Sequence, residues 1–585
     1  MLAIVVSRAD SASVLIGEQL LSAADWTAHE DATRSDADGG GTYYRLGAAA
    51  GAEGAGGAGA TGADGARTTG TASASGPIAE LREFDALHLE LEDVADAFAA
   101  RPDLLAFVSR HSGETGPLLS AHFTGNFGPA EYGGTAGGLA RAAPNAQAVV
   151  VDRLAAHAPE RYDVGIEGTH HGPSSVGAPS MFVELGSDEP QWSDPDGARA
   201  VARAVLDLAE RRVAPDRLAD GRPGYVGGHG RDGDGDGDGD GATGGGDGDR
   251  AELGDGDGAD GNPLARHLVG FGGGHYAPRF ARVVRETDWA VGHVGMDWQL
   301  DALGDPGEPD ARAVLGRAFE RSVADYALVD GDYPALRRAI EELGYRAVSE
   351  TWVRETDGVP LDLVGTLERT LRPVDEGLRF GDAARVLRDG DGRGGSDTQA
   401  PDEPEESDVP EEPADSNGFV VVPLPDELAN AARGIDADAT RAAVVDATLA
   451  FETDHGGTEA AGRAAVRDVA DREALIDDLV GILRERYDSV ERVPAGDLER
   501  SEGPAAHAGA ADGSDGATVP DGATEVVVAR ERGFDPGLAR TLGIPEGPAF
   551  GRLADGDAVE VDGRVIEPEK VTSEREDRFP VPAVD

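Results

Sequence analysis

Apolar positions recur along the chain in two distinct rhythms. Short continuous runs of the type "LAIVV", "LLAFVSR", "LLSAHF" and "SMFVELG" are bounded by Gly, Asp and Ser, and they read as buried strands. Between them, "SASVLIGEQLLSA", "NAQAVVVDRLAAHA" and "ARAVARAVLDLAERRV" repeat apolar residues at three- and four-residue spacing and read as helices. "ALHLELEDV" and "YDVGIEGTHH" also fit strands, and "RHLVGFGGGHYAPRFARVVRE" fits strand, glycine loop and helix. "WAVGHVG" adds a strand, followed by helical patterns near 311–326 and 333–343. Strands alternating with helices predict an α/β domain with a mostly parallel sheet flanked by helices.

The pattern lapses in three places, which sets the domain expectation. Residues 46–77 are Gly/Ala low complexity, and residues 228–262 carry a repeated Asp-Gly tract. No register of that tract supplies the Glu expected at position 12 of a calcium loop. Both read as disordered insertions in a catalytic α/β domain spanning 1–387. Residues 388–418 form an acidic, Pro-rich linker. Residues 419–585 form a smaller C-terminal α+β region, with helical patterns at 426–450 and 458–487. It ends in a hairpin module at "DAVEVDGRVI", with Asp562–Gly563 at the turn.

Composition changes the picture of the solvent. The chain has 111 Asp plus Glu against 52 Lys plus Arg, a formal charge of −59, and Lys570 is its one lysine. Such a charge repels itself in dilute buffer, whereas in molar salt the Debye length falls to about 3 Å. The pattern is that of a protein from a salt-loving archaeon, so acidity does not exclude an RNA partner; it requires a local arginine patch. With no cysteine, disulfides, thiolate metal sites and cysteine nucleophiles are excluded. The first apolar run is too short for a signal sequence, and no run approaches a membrane span, so a cytoplasmic, membrane-free monomer is expected.

Thirteen histidines are few in 585 residues, and their placement is uneven. His122, His170, His171, His275 and His293 lie in or beside glycine-rich breaks at predicted strand ends, where open α/β sheets gather ligands. His29, His88, His157, His455 and His507 sit in ordinary contexts. In an extended strand Glu167, Thr169 and His171 share one face and His170 takes the other, unless Gly168 and Gly172 turn the chain. In "SAHFTGNFGPAEYGG", His122 offers a ligand or base and Asn126 an oxyanion donor; a plain Asn-Gly loop is an equal alternative. "GFGGGHYAPRF" exposes backbone N–H groups of Gly272, Gly273 and Gly274 ahead of a helix, an anion seat that Arg279, Arg282 and Arg285 could extend. Neither a G-x-S-x-G elbow nor an H-E-x-x-H pair occurs, which leaves activated water as the nucleophile for any hydrolase.

Four motifs in order, "HFTGNFGPAEYGG", "GIEGTHHGPSS", "MFVELGSDEPQW" and "GFGGGHYAPRF", together with both chain ends, resemble the archaeal and plant type of D-aminoacyl-tRNA deacylase. The resemblance implies a fold related to peptidyl-tRNA hydrolases and phosphorylases, and two zinc ions per chain. It also implies D-aminoacyl-tRNA as partner, with hydrolysis of the ester that joins a D-amino acid to the tRNA 3′ end. His122, Asn126, Glu167 and His171 become the expected catalytic residues, and His122, Glu167, His170, His171 and His275 the expected ligands. Thr124, Thr169, Gly272, Gly273, Gly274 and Arg279 are expected to hold the substrate and its phosphates. A related enzyme acting on peptidyl-tRNA or by phosphorolysis, and a non-catalytic tRNA-binding protein, are the alternatives.

Overall fold

Strand β1 (Leu2–Ser7) is buried along its whole length, as expected of a strand covered on both faces. Its chain turns at Asp10, whose carboxylate caps the helix Ser11–Ala23 by accepting from the N–H groups of Ala12 and Ser13. The computed structural model describes residues 1–47, 77–211, 266–385, 418–501 and 523–584. The expected insertions and linker fall almost wholly outside these residues. Two compact units emerge, Met1–Val353 and Arg354–Asp585.

In the first unit, an eight-stranded sheet contains β1, β2 (Thr27–Asp31), β3 (Gly41–Leu46), β4 (Ala79–Phe84), β5 (Leu104–Arg110), β6 (Leu118–Phe123), β7 (Asp163–Ile166) and β8 (Ser180–Gly186). Their order is β2-β3-β4-β1-β5-β8-β6-β7. The centre is parallel, but β2, β3 and β4 meander antiparallel, and β6 runs against β8. The sheet is therefore mixed, with four parallel pairings and three antiparallel ones. A second, four-stranded sheet is parallel throughout: β9 (His267–Gly272), β10 (Ala290–Gly295), β11 (Tyr326–Asp330) and β12 (Arg346–Val348), in the order β10-β9-β11-β12.

Several local expectations change. "ALHLELEDV" is not a strand: it contains the 3-10 turn His88–Glu90 and leads, through Asp93 in left-handed backbone (φ 54°), into a second, Val94–Ala97. The helix expected to 326 stops at Ser322, and Tyr326–Asp330 becomes a strand of the second sheet. In the second unit, the helix expected over 458–487 divides into a strand, Glu459–Val466, and a helix, Val469–Leu483. Asp468 forces the division by capping the N–H groups of Ala470 and Asp471.

The second unit is α+β. One antiparallel sheet joins Leu378–Phe380, Ala450–Asp454, Glu459–Val466 and Val420–Pro423. Another joins Ser489–Pro494, Ala523–Phe534 and Thr572–Pro582. The expected hairpin is present at Val559–Val561 and Arg564–Ile566, with positive φ at Asp562 and Gly563. No helix among the described residues is long and apolar enough to cross a membrane.

Candidate functional site

Polar side chains are rare on the central strands of the first sheet, and those present line up across it. Register pairs Ser109 of β5 with Glu184 of β8, and Glu184 with Ser120 of β6. Directly opposite residues share a face, so these three form a polar row inside an apolar layer. One step along, His122 pairs with Phe182, and their rings stack at 5.0 Å. Ser109 Oγ donates to Glu184 Oε1 at 2.8 Å, and Ser120 Oγ makes a short bond to Glu167 Oε1.

β7 ends at Ile166, so Glu167 begins a turn rather than continuing a strand. The N–H of Gly168 donates to the carbonyl of His275, and the N–H of Thr169 to that of Val294, which ties this loop to the second sheet. Gly168 faces Met296 so closely that an added Cβ would lie 2.4 Å from Met296 Cγ. Gly172 takes φ +102°. Both glycines thus serve the turn, and His170 and His171 come to the same side, with ring centroids 4.7 and 4.6 Å from that of His122.

Around Glu167 and Glu184 five imidazoles converge. His275 Nε2 lies 2.8 Å from Glu167 Oε2, and His111 Nδ1 lies 3.2 Å from Glu167 Oε1 and 3.5 Å from Glu184 Oε2. His122 Nε2 faces Glu184 Oε1 at 3.6 Å, and His171 Nε2 faces the same oxygen at 3.9 Å. His122 Nδ1 bonds the carbonyl of Phe123 and His170 Nδ1 that of Gly168, which directs each Nε2 lone pair inward.

Burial opposes ionising Glu167, yet hydrogen bonds from His111 and His275 hold its carboxyl well below the usual carboxylate range. Glu184 is likewise held low against burial by His111 and His122. Burial also disfavours a charged His111, but the carboxylates of Glu167 and Glu184, 3.2 and 3.5 Å away, push it up to about 11. His170 goes the other way: burial, reinforced by His122, pushes it down to about 4. Burial and His170 push His171 well down. The result is two buried anions held by His111 and His122, whose charged forms they favour, beside His170 and His171, which burial keeps neutral with lone pairs available to a cation.

Two donor triplets have all their ligand atoms within 4.8 Å: His122, His170 and His171, and His111, Glu167 and His275. His122 Nε2, His171 Nδ1 and Glu184 Oε2 are buried without a hydrogen-bond partner. Imidazole and carboxylate donors with orphaned atoms at this spacing suit zinc.

Other expected site residues are placed elsewhere. Thr124 Oγ1 meets Ser180 Oγ at 2.6 Å, and Thr169 Oγ1 meets His293 Nδ1 at 3.0 Å, so both threonines belong to the buried framework. Asn126 Nδ2 donates to the carbonyl of Gly133 at 2.9 Å, leaving Oδ1 buried and unpartnered. The N–H of Gly273 donates to Asp297 Oδ1, Gly272 packs on the carbonyl of Asp330, and Gly274 accepts from the N–H of Ala277. Arg279 pairs with Asp330 and Glu350. His111 and Glu184 were not among the expected site residues. His111 stands just past the end of β5 beside a Ser-Gly pair, and Glu184 is a lone carboxylate inside an apolar strand; either feature could have marked them.

A family model described as D-aminoacyl-tRNA deacylase matches residues 98–229 and 254–348. A D-aminoacyl-tRNA deacylase from Halorubrum lacusprofundi is 46% identical over 99% of this chain and 97% of its own length. That from Haloarcula marismortui is 44% identical over 99% of this chain and 100% of its own. A crystal structure titled as a conserved protein of unknown function aligns with TM-score 0.42 and 20% identity, over 61% of this chain and 98% of the other.

Proposed function

The chain belongs to the D-aminoacyl-tRNA deacylase family and is a hydrolase of aminoacyl-tRNA ester bonds, and from that premise we propose that the histidine and glutamate cluster of the first unit is its active centre. The observation that carries this is the convergence of five imidazoles on two buried carboxylates, Glu167 and Glu184. The substrate is a D-aminoacyl-tRNA, and the products are the free D-amino acid and reusable tRNA.

His122, His170 and His171 would hold one zinc ion, and His111, Glu167 and His275 a second. Zinc bound there supplies Lewis acidity, polarising the ester carbonyl and bringing the pKa of water toward about 7. The chain's own groups do the rest. Ser109 and Ser120 fix the two carboxylates by hydrogen bonds. Glu167, its two oxygens engaged by Ser120, His111, His275 and His170, would hold that second ion and set the imidazoles around the place where water attacks the ester. His275, about one-third exposed, stands on the open side where the ester would enter.

Deacylation of matched D- and L-aminoacyl-tRNA in molar KCl, with and without chelator, tests this reading. Hydrolysis of the D-ester alone, abolished by chelator, is expected. Equal hydrolysis of both esters would remove the chiral assignment, and full activity in chelator would remove the metal.

A further inference from the structure

Two large aromatic side chains of the first unit are left in water, Tyr132 at 60% and Trp298 at 48% exposure. Among the described residues, the other large apolar side chains with comparable exposure are aliphatic and lie in the second unit. Both aromatics are fastened to the loops that carry the histidines. The carbonyl of Tyr132 accepts from the N–H of Gly172, next to His171, at 3.0 Å. Asp297, preceding Trp298, exchanges two hydrogen bonds with Gly273 in the loop of His275. Gln299, following Trp298, donates to the carbonyl of Thr169, next to His170, at 2.7 Å. The loop of Tyr132 also packs on the short helix of Trp298, where Gly128 approaches Ala302. An exposed aromatic costs solvation, and here two stand on loops hydrogen-bonded to the segments that carry the histidines.

We propose that Trp298 and Tyr132 form a stacking seat for the unpaired bases at the 3′ end of the aminoacyl-tRNA, placing the terminal ester at the histidine cluster. The proposal rests on the deacylase reading and adds the means by which the substrate is gripped. Single-stranded bases bind well to aromatic faces, and stacking does not depend on unpaired cations. That matters in a chain carrying −59 charges, in solvent salty enough to screen phosphate contacts. The arginine nearest in sequence to His275, Arg279, is already committed to two carboxylates. Stacking is the attraction that survives these conditions.

The test compares wild type with Trp298→Ala, Trp298→Phe and Tyr132→Ala in molar KCl. Three D-tyrosyl esters serve as substrates: of tRNA, of adenosine and of methanol. Each Ala variant is expected to raise KM for the tRNA and adenosine esters by roughly ten-fold, with kcat nearly unchanged, because a stacked base is worth about one to three kcal/mol by truncation. KM for the methyl ester should not move, and Trp298→Phe should restore most of the loss. Quenching of tryptophan fluorescence by an RNA with an unpaired 3′ overhang should appear in wild type and vanish in Trp298→Ala. Unchanged KM for the tRNA ester in both Ala variants overturns the seat, as does an equal rise on the methyl ester, which would place the aromatics against the amino-acid side chain. Failure of wild type to cleave the D-tyrosyl ester would overturn the deacylase reading separately, and the quenching experiment would still judge the seat.

Discussion

Glu167 and His275 lie 108 residues apart in the chain, come from loops of two different sheets, and meet at 2.8 Å. The carboxylate receives three more partners or near neighbours in Ser120, His111 and His170. Glu184 also reaches both donor triplets, through His111, His122 and His171, but Glu167 is itself a member of one of them, so its charge and its two oxygens are the first things to remove.

Glu167→Gln keeps the shape and removes the charge. Deacylation should fall by at least about a hundred-fold, in line with the loss of a charged donor at the centre and of the positions it gives His111 and His275. Thermal stability should fall, because the partners that hold the carboxyl low favour its charged form and His111 loses one of its two counter-charges. Steady-state kinetics beside a melting curve in molar KCl decides; wild-type turnover would remove Glu167 from the chemistry.

Metal content offers an independent readout of the two triplets. His171→Ala should lose one ion per chain while keeping the other, and His111→Ala should do the reverse. Elemental analysis of dialysed protein measures this directly. Loss of all metal in either variant would mean that the triplets are one shared site, and unchanged content would remove the ligand assignments.

The buried His293 supplies a pH dependence of stability. Burial, against a bond to the carbonyl of Ala140, pushes it down to about 4. Its folded pKa lies below the unfolded value near 6.5, so the unfolded chain binds the proton more readily. Its contribution is complete above pH 6.5 and drains away as pH falls toward 4. Between pH 6.5 and 4.5 wild type should lose about 2 kcal/mol more than His293→Gln, read from denaturation in molar KCl. Parallel pH profiles for the two proteins would contradict this.

Gly168 tests the turn that brings the histidine pair around. Gly168→Ala places a Cβ 2.4 Å from Met296 Cγ, in a position where Met296 is fully buried. The 168–171 turn must shift, and activity should drop by roughly ten-fold or more, since small misplacements of catalytic groups are costly. Adding Met296→Ala clears the space and should recover part of the loss. Without recovery, the steric account fails.

The strand runs of the core were legible because each is short, mostly apolar and bounded by turn residues, as in "LLSAHF" between Pro117 and Gly125 and "SMFVELG" between Pro179 and Ser187. The direction of pairing was not: nothing in "LLSAHF" says that β6 runs against β8, and that reversal makes the sheet mixed. It also sets the site partly on a face of the sheet, since Glu184 and His122 project from within strands while His111 lies past the end of one. For the histidine pair, alternation tied Glu167 to His171 and made His170 depend on the glycines; Gly168 and Gly172 do turn the chain. The glycine loop before His275 looked like an anion seat because its N–H groups were counted as free. Asp297, 24 residues later, takes the one at Gly273, a pairing that only the tertiary fold reveals.

Tyr276 meets His111 across 165 residues, at 3.4 Å, and its neighbour His275 closes the cluster at the same point. A ribosome adds about 5 to 20 residues per second, so roughly ten to thirty seconds separate the synthesis of His111 from that of His275. Contacts spanning such a length also form late, since the long loop must close before they reward it. Until then the nascent chain holds half a pocket and no completed centre.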